Sequence, residues 1–158
     1  MKVEMFTDGA CGNNGHKDNF GGYSAIVVVN GKLYRKYYKG VRDTTNNEME
    51  LMGVLVAVKL AKTLNQEVTI YSDSAYVVNS VNQWMAGWAS KGWVRGKGEP
   101  IKNLEIMQEL YKLLNFDQYI KVVKIKGHAG HKFNEMADEC AVKGKMEAMQ
   151  TYLKNRFV

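Results

Sequence analysis

Alternating hydrophobic and polar residues predict a run of strands at the start of the chain. Three strands are expected in the first forty residues, over Lys2–Thr7, Gly22–Asn30 and Lys32–Lys39. The last two meet at Asn30-Gly31, a dipeptide that tolerates the positive φ angles of a tight hairpin turn. The chain is therefore expected to begin with one strand followed by a β-hairpin.

Helical periodicity dominates most of the remaining sequence. A helix is predicted from about residue 45 to 64, because Thr45 and Glu48 have capping-box spacing, with Thr44 as an alternative cap. Two further strands are expected, at 68–73 and within 119–127. Three helical regions accompany them, over 74–90 with a break near 80–82, over 103–114 and over 134–150. The order βββαβαααβα predicts an α/β fold in which helices flank a mixed sheet.

Length and composition narrow the class of protein. A chain of 158 residues with 46% hydrophobic residues is expected to form one domain. No apolar run approaches the ~18 residues of a membrane span, and the N-terminus lacks the apolar core of a signal peptide. The two cysteines, Cys11 and Cys140, form no disulfide framework. These features predict a cytoplasmic protein with no membrane segment.

Positive charge is concentrated in the second half of the chain. The net charge is +6, and residues 81–158 carry most of the excess. The segment from Lys121 to Lys132 contains four lysines and no acid. This balance suits a polyanionic partner such as nucleic acid, although a solvated basic face would give the same pattern.

Four acids occupy positions where an acid is unexpected. Asp8 and Asp73 each follow an apolar strand, at the kind of sheet edge where α/β folds bind ligands. Glu50 shares a predicted helix face with Val54 and other apolar residues, and Asp138 has apolar neighbours on the last helix. Each acid alone is explained equally well by a turn, a helix cap, an ion pair or an exposed flank. All four together favour a shared site.

A cluster of carboxylates favours a divalent metal. Converging carboxylates repel one another and raise each other's pKa values, unless a cation lies between them. Hard oxygen ligands without a Cys/His cluster favour Mg²⁺ or Mn²⁺ over zinc. Two such ions about 4 Å apart can activate a water and stabilise the leaving oxygen of a phosphodiester. The acids and the basic surface are thus both consistent with metal-dependent hydrolysis of a nucleic acid.

Several motifs resemble the ribonuclease H family, type 1. "FTDGAC", "TTNNEMEL", "YSDSAYVV" and "KGHAGHKFNEMADECA" occur in the order found in that family, and "QWMAGWASKGWVRGKGEPIKN" resembles its tryptophan-bearing basic handle. The resemblance covers about Val3 to Ala148. It implies a ribonuclease H-like α/β fold, with a five-stranded mixed sheet flanked by helices. It also implies a single catalytic domain over residues 1–158, without the separate hybrid-binding domain.

The resemblance implies an activity and a set of catalytic residues. Members hydrolyse the RNA strand of RNA–DNA hybrids with two Mg²⁺ ions, or Mn²⁺, and leave 5′-phosphate and 3′-hydroxyl ends. The family's metal-binding carboxylates fall on Asp8, Glu50, Asp73 and Asp138, with Asp8 bridging both ions. Its flexible-loop histidine falls on His128, where it is thought to assist proton movement or product release. The expected form is a monomer bound to a hybrid.

Further matching positions imply contacts with the two strands. Selectivity for RNA requires groups that sense the 2′-hydroxyl, and the matching positions are Asn14, Asn46, Asn47 and Glu50. The loop around Asn14 is also ordinary turn chemistry. The phosphate pocket for the DNA strand matches Thr45 and Asn103. The handle matches Trp84, Trp88 and Trp93 together with Lys91, Arg95, Lys97 and Lys102. Trp88 and Trp93 have a purely structural explanation as well.

Departures from the family pattern predict weaker substrate binding. Asp43 and Glu48 stand where arginines are common, and Ala75 stands where a groove-contacting glutamine is common. The handle has Ala89 and Ser90 at positions that often carry lysine. Each change removes a positive or polar contact, so binding is expected to be weaker and more salt-dependent. The loop Gly12–Tyr23 is longer than the common pattern.

Two other classes share part of this pattern. A resolvase or transposase core of the same superfold would carry the acids, but not "TTNNEMEL" or the tryptophan handle. A module that holds hybrids without cutting them is disfavoured because all four acids are present.

Overall fold

The computed structural model describes residues 1–12, 18–126 and 131–157. The strands are β1 (Val3–Gly12), β2 (Phe20–Val29), β3 (Lys32–Arg42), β4 (Val68–Ser72) and β5 (Ile120–Lys124). The helices are α1 (Asn46–Lys62), α2 (Ala75–Asn79), α3 (Met85–Ser90), α4 (Leu104–Leu114) and α5 (Lys132–Arg156), and the π-helical turn Ser80–Trp84 joins α2 to α3. None of the described helices is long and apolar enough to cross a bilayer.

The five strands form one mixed sheet in the order β3-β2-β1-β4-β5. The pairs β1–β2 and β2–β3 are antiparallel, whereas β1–β4 and β4–β5 are parallel. Asn30 and Gly31 both have positive φ, at 51° and 78°, as the predicted hairpin turn requires. The prediction of a five-stranded mixed sheet flanked by helices is confirmed.

Helices cover both faces of the sheet. On one face α1 packs on β1, β2 and β4, and α4 packs on α1. The larger core lies there and includes the fully buried side chains of Leu51, Val54 and Ile70. On the other face α5 covers β1, β2 and β3 over a smaller core that includes Phe6 and Ile26. The layers hold the first turns of α1 and the N-terminal half of α5 beside the centre of the sheet.

The first strand is longer than its sequence pattern predicts. It was expected to end at Thr7, but it continues to Gly12, which pairs with Phe20 of β2. Backbone pairing with β2 outweighs the turn signal of the glycines, because each pair satisfies buried backbone groups. Asp8 therefore lies inside β1 rather than at its end. The pairing of β1 with β4 stops at Phe6 and Tyr71, so Asp8 lies just beyond the end of β4.

The helices largely follow the prediction, with differences at the expected break and in the length of α5. The cap of α1 is Thr45, whose hydroxyl accepts a hydrogen bond from the Glu48 amide at 3.1 Å. The expected break near 80–82 is the π-helical turn, so the helical region is rewound rather than interrupted. Helix α5 ends at Arg156, beyond the predicted limit at Gln150.

Candidate active site

Parallel pairing brings two of the acids together. The register of β1 and β4 pairs Phe6 with Tyr71. Two residues further along each strand are Asp8 and Asp73, which therefore lie side by side where the two strands diverge. The third acid, Glu50, comes from the first turns of α1. Single carboxylate oxygens of Asp8, Glu50 and Asp73 all lie within 4.8 Å of one another.

Glu50 reaches this position because α1 lies very close to β1. The contact is made at Gly9, where an added Cβ would lie 2.4 Å from the Glu50 amide nitrogen. The backbone of α1 can therefore approach β1 only where the strand has no side chain. The Glu50 carboxylate is buried beneath the helix end, with 6% of the residue exposed.

Asp138 lies at the margin of the cluster rather than within it. Its apolar neighbours predicted a buried position, but Asp138 is exposed because Ala137, Cys140 and Ala141 face the sheet instead. Its side chain nevertheless hydrogen-bonds to that of Asp8 and raises the pKa of Asp8. The structure thus brings three of the predicted ligands together and places the fourth beside Asp8.

The position of Asp138 depends on a buried contact between β2 and α5. Ser24 pairs with Asp8 across β1 and β2, and its hydroxyl donates a hydrogen bond to the Ala137 carbonyl at 2.6 Å. Ser24 is completely buried. The same strand position thereby connects Asp8 to the helix turn that carries Asp138.

The cluster holds protons in the absence of a cation. Burial, the Asp73 charge and the hydrogen bond with Asp138 raise the pKa of Asp8 to about 7. Burial raises the pKa of Glu50 to about 10, with Asp8 and Asp73 adding to the effect. The amide of Gly9 donates to Asp8 Oδ1 at 2.9 Å and opposes the shift only in part. Negative charge is therefore crowded here, as expected of a site built for a cation.

These side chains fit a hard divalent cation. Glu50 Oε2 is buried and, among the described residues, has no hydrogen-bond partner. A buried carboxylate oxygen without a partner is costly, and metal coordination removes that cost. The donors of the cluster are all carboxylate oxygens, the set that Mg²⁺ and Mn²⁺ prefer.

Two predicted site residues lie outside the described part of the chain. His128 belongs to residues 127–130 and Asn14 to residues 13–17. Their assigned roles stay predictions.

The predicted substrate contacts near α1 lie around its N-terminus. Asn46 and Asn47 are exposed in the first turn, beside the buried Glu50. Thr45 is half-buried as the helix cap. Asn103 precedes α4 in a left-handed conformation, with φ 57°, and its amide donates to the Tyr76 hydroxyl at 3.3 Å. The four residues stay predicted contacts, with structural roles established for Thr45 and Asn103.

The handle combines structural tryptophans with an exposed basic loop. Trp88 and Trp93 pack against the main core, and Trp93 meets Tyr111 edge to face at 5.6 Å, so both have a structural role. Trp84 is 38% exposed and lies 5.9 Å from Trp88, centroid to centroid. The four predicted phosphate-binding cations are all exposed: Lys91, Arg95, Lys97 and Lys102.

The unusual acids near the phosphate pocket have local structural roles. Asp43 accepts a hydrogen bond from the Asp18 amide at 3.0 Å, in a left-handed backbone conformation with φ 56°. Glu48 accepts one from the Thr44 hydroxyl at 2.9 Å. Ala75 is exposed at the first position of α2.

Gly9 and Ser24 were missed by sequence reasoning. The Asp-Gly pair at residues 8–9 has the sequence of a turn, although Gly9 lies within β1 in close contact with the backbone of α1. Ser24 has no sequence signal, because its partner lies more than a hundred residues away.

Fold and site together define an α/β domain with a carboxylate centre suited to metal-dependent hydrolysis of phosphodiesters. Comparison with known proteins makes the assignment specific: the family model for RNase H matches residues 1–146. The chain belongs to the ribonuclease H family, whose members are endoribonucleases acting on the RNA strand of RNA–DNA hybrids.

Relatives of similar length support this assignment. The chain is 42% identical to a ribonuclease H of Hahella chejuensis over 147 residues, which covers 93% of this chain and 95% of the relative. It is 40% identical to a ribonuclease H of Clostridium botulinum over 141 residues, covering 89% and 93% of the two chains.

Solved structures share the fold. LC9-RNase H1, a type 1 RNase H, superposes with a TM-score of 0.78 at 30% identity, covering 92% of this chain and 72% of that one. LC11-RNase H1, solved with an RNA/DNA hybrid, has a TM-score of 0.69 at 17% identity and covers 94% and 99%.

Proposed function

We propose that Asp8, Glu50, Asp73 and Asp138 hold two Mg²⁺ ions, or Mn²⁺, for cleavage of the RNA strand in RNA–DNA hybrids. The observation that carries this assignment is the meeting of the buried Asp8 and Glu50 with the half-buried Asp73, where Glu50 Oε2 has no hydrogen-bond partner among the described residues. When bound, such ions supply an activated water and stabilise the charge on the leaving oxygen.

Individual side chains have distinct proposed roles in the reaction. Asp8 would be the ligand shared by both ions, because its carboxylate interacts with those of Asp73, Glu50 and Asp138. A water attacks the phosphorus in line with the departing 3′-oxygen, and the products carry 5′-phosphate and 3′-hydroxyl ends. His128 is the proposed group that moves a proton or assists product release, since a histidine titrates near neutral pH.

Polar side chains on several segments are the proposed contacts with the two strands of a hybrid. Asn46, Asn47 and Asn14 are the proposed readers of the RNA 2′-hydroxyls, together with Glu50. Thr45 and Asn103 are the proposed phosphate pocket for the DNA strand. The handle grips the same strand through Trp84 and Trp93 and through its cations, Lys91, Arg95, Lys97 and Lys102. LC11-RNase H1, which has the same fold, binds an RNA/DNA hybrid in its crystal structure.

The domain organisation, oligomeric state and cellular location are also proposals. Residues 1–158 act as one catalytic domain, since helices from the same chain cover both faces of the sheet. The protein acts as a monomer, because one chain supplies all of the clustered acids. A cytoplasmic location is supported by two cysteines that are both free.

A substrate panel tests the function. The protein is incubated with end-labelled RNA–DNA hybrid, single-stranded RNA, double-stranded RNA and double-stranded DNA, each with Mg²⁺, with Mn²⁺ or with a chelator. Cleavage is expected only of the RNA strand in the hybrid and only with metal. Binding of the hybrid without cleavage under all metal conditions would indicate a binding module instead.

A further inference from the structure

The open edge of the sheet on the β3 side carries an unusual set of side chains. Strand β3 pairs with β2 on one side only, and its other edge pairs with no strand in the described parts of the chain. Its eleven residues include five cations and no acid. Three tyrosines are interspersed among these cations in the sequence "KLYRKYYKGVR".

One tyrosine is directed outward by an irregularity in the sheet. The register of β2 and β3 shifts between Val27 and Val28, which pair with Arg35 and Leu33, so Tyr34 is the extra residue of a β-bulge. Bulges redirect side chains at the edges of sheets. Tyr34 is 68% exposed, and the Arg35 guanidinium lies 5.9 Å from its ring centroid.

A second aromatic surface lies further along the strand. The same guanidinium lies 5.9 Å from the ring centroid of Tyr37, which is half-buried against the main core. A cavity of about 330 Å³ opens beside these rings and is lined by Tyr23, Lys36, Tyr37, Tyr38, Lys39 and Val56.

The charges around this surface are predominantly positive. Lys143 of α5 lies 5.2 Å from the Tyr38 ring, and the Tyr38 hydroxyl donates to Glu147 Oε1 at 3.4 Å. Lys59 of α1 pairs with Glu109 at 2.8 Å and is thereby neutralised. Lys36 and Arg35 have no acid within ion-pair distance among the described residues.

We propose that the β3 edge is a second nucleic-acid-binding surface, separate from the acidic cluster, and that it binds single-stranded nucleic acid. Exposed aromatic faces interleaved with cations are the chemistry that binds unpaired bases and their phosphates without sequence preference. An acidic peptide would use the cations, but it would leave the outward Tyr34 unexplained. Lysines also protect open sheet edges from pairing, and that role does not require tyrosines either.

The position of the surface suits a strand that leaves the active site. Asp8 pairs with Ser24, and Ser24 pairs with Tyr38, so the surface begins two strands, or about 10 Å, from the acidic cluster. Strand β3 extends about 35 Å along the edge. A single-stranded segment flanking a hybrid can therefore lie along it while the hybrid occupies the acidic site.

Binding to labelled single-stranded oligo(dT), measured by fluorescence anisotropy in chelator, tests the proposal. Tyr34→Ala is expected to raise Kd about fivefold or more, whereas Tyr34→Phe, which keeps the ring, leaves it unchanged. The double variant Arg35→Ala/Lys36→Ala is expected to reduce the slope of log K against log salt by about 1.4. Tyr119→Ala and Lys112→Ala, which change exposed residues elsewhere, serve as matched controls.

Cleavage assays separate this surface from the active site. All β3 variants are expected to cleave a short blunt hybrid at the wild-type rate and to lose affinity only for hybrids with single-stranded flanks. Unchanged oligo(dT) binding by the β3 variants overturns the proposal. It is equally overturned if the variants lose affinity only for an acidic peptide, or if they self-associate while binding oligo(dT) normally.

Discussion

Gly9 and Glu50 are in backbone contact, and this contact places a carboxylate of α1 beside one of β1. A Cβ on Gly9 would lie 2.4 Å from the Glu50 nitrogen and 2.5 Å from the Met49 carbonyl carbon. Neither neighbour is a flexible side chain that can move aside. The distance between strand and helix, and with it the spacing of the acids, therefore depends on the absence of a side chain at residue 9.

Gly9→Ala is expected to separate α1 from β1. Overpacking of this kind costs about 3 kcal/mol of unfolding free energy. Activity on the hybrid should fall by about a hundredfold, since a displacement of catalytic groups by 1 Å can have that effect. Urea denaturation and initial cleavage rates measure the two effects. Gly12→Ala is the control, because its added Cβ would have no neighbour within 4 Å in the part of the chain that the structure describes; equal behaviour of the two variants would contradict the prediction.

Asp73→Asn is expected to abolish cleavage while largely preserving hybrid binding. The substitution keeps the size of the side chain but removes a negative charge that faces Asp8 and Glu50. Single-turnover cleavage and hybrid affinity, each measured with Mg²⁺, separate the two effects. Glu67→Gln is the control. It neutralises an exposed acid immediately before Val68, the first residue of β4, at the end of the strand away from Asp73. Cleavage retained by Asp73→Asn would remove this residue from the metal site.

The metal-free protein is expected to lose stability as pH rises above about 4, through Asp8 up to about pH 7 and through Glu50 up to about pH 10. The folded state keeps a proton on Asp8, whose pKa is raised to about 7, while the unfolded chain releases that proton near pH 4. The folded state thus binds more protons over this range, and the unfolding free energy falls with increasing pH.

Asp8→Asn removes the part of this pH-dependent loss of stability that Asp8 causes. In chelator near pH 8, the variant is expected to be more stable than the wild type by about 2 to 4 kcal/mol. The difference should disappear near pH 3, where the wild-type carboxyl is protonated in both states. Adding Mg²⁺ should stabilise the wild type more than the variant, because the ion binds only the intact cluster. Stability is measured by thermal unfolding across this pH range. If the stability of the two proteins changes with pH in parallel, Asp8 is not the cause of the loss of stability.

Asp43→Asn is expected to strengthen substrate binding. Asparagine tolerates the left-handed backbone of residue 43 and retains the oxygen that accepts the Asp18 amide, so the local backbone is kept while the charge and its ion pair with Arg42 are lost. The KM for hybrid should fall about threefold at low salt, as expected for one screened surface charge. The effect should vanish at high salt. A KM that is unchanged at low salt would show that this acid does not weaken binding; Glu67→Gln again serves as the control.

Local sequence pattern determined the elements of this protein and the identity of its acids. The hairpin at Asn30-Gly31, the cap at Thr45 and the apolar face that carries Glu50 follow from short-range backbone preferences and side-chain periodicity. The same local signals identified Asp8 and Asp73 as acids that follow apolar strands.

Only the tertiary structure decided how those acids meet. Asp8 lies inside β1 because pairing with β2 extends the strand, and Asp138 is exposed because its neighbours on α5 face the sheet. The contacts of Gly9 with Glu50 and of Ser24 with Ala137 join segments far apart in the chain. Such contacts leave no periodic signal, because packing distance and strand register depend on the whole sheet and its helices rather than on neighbouring residues.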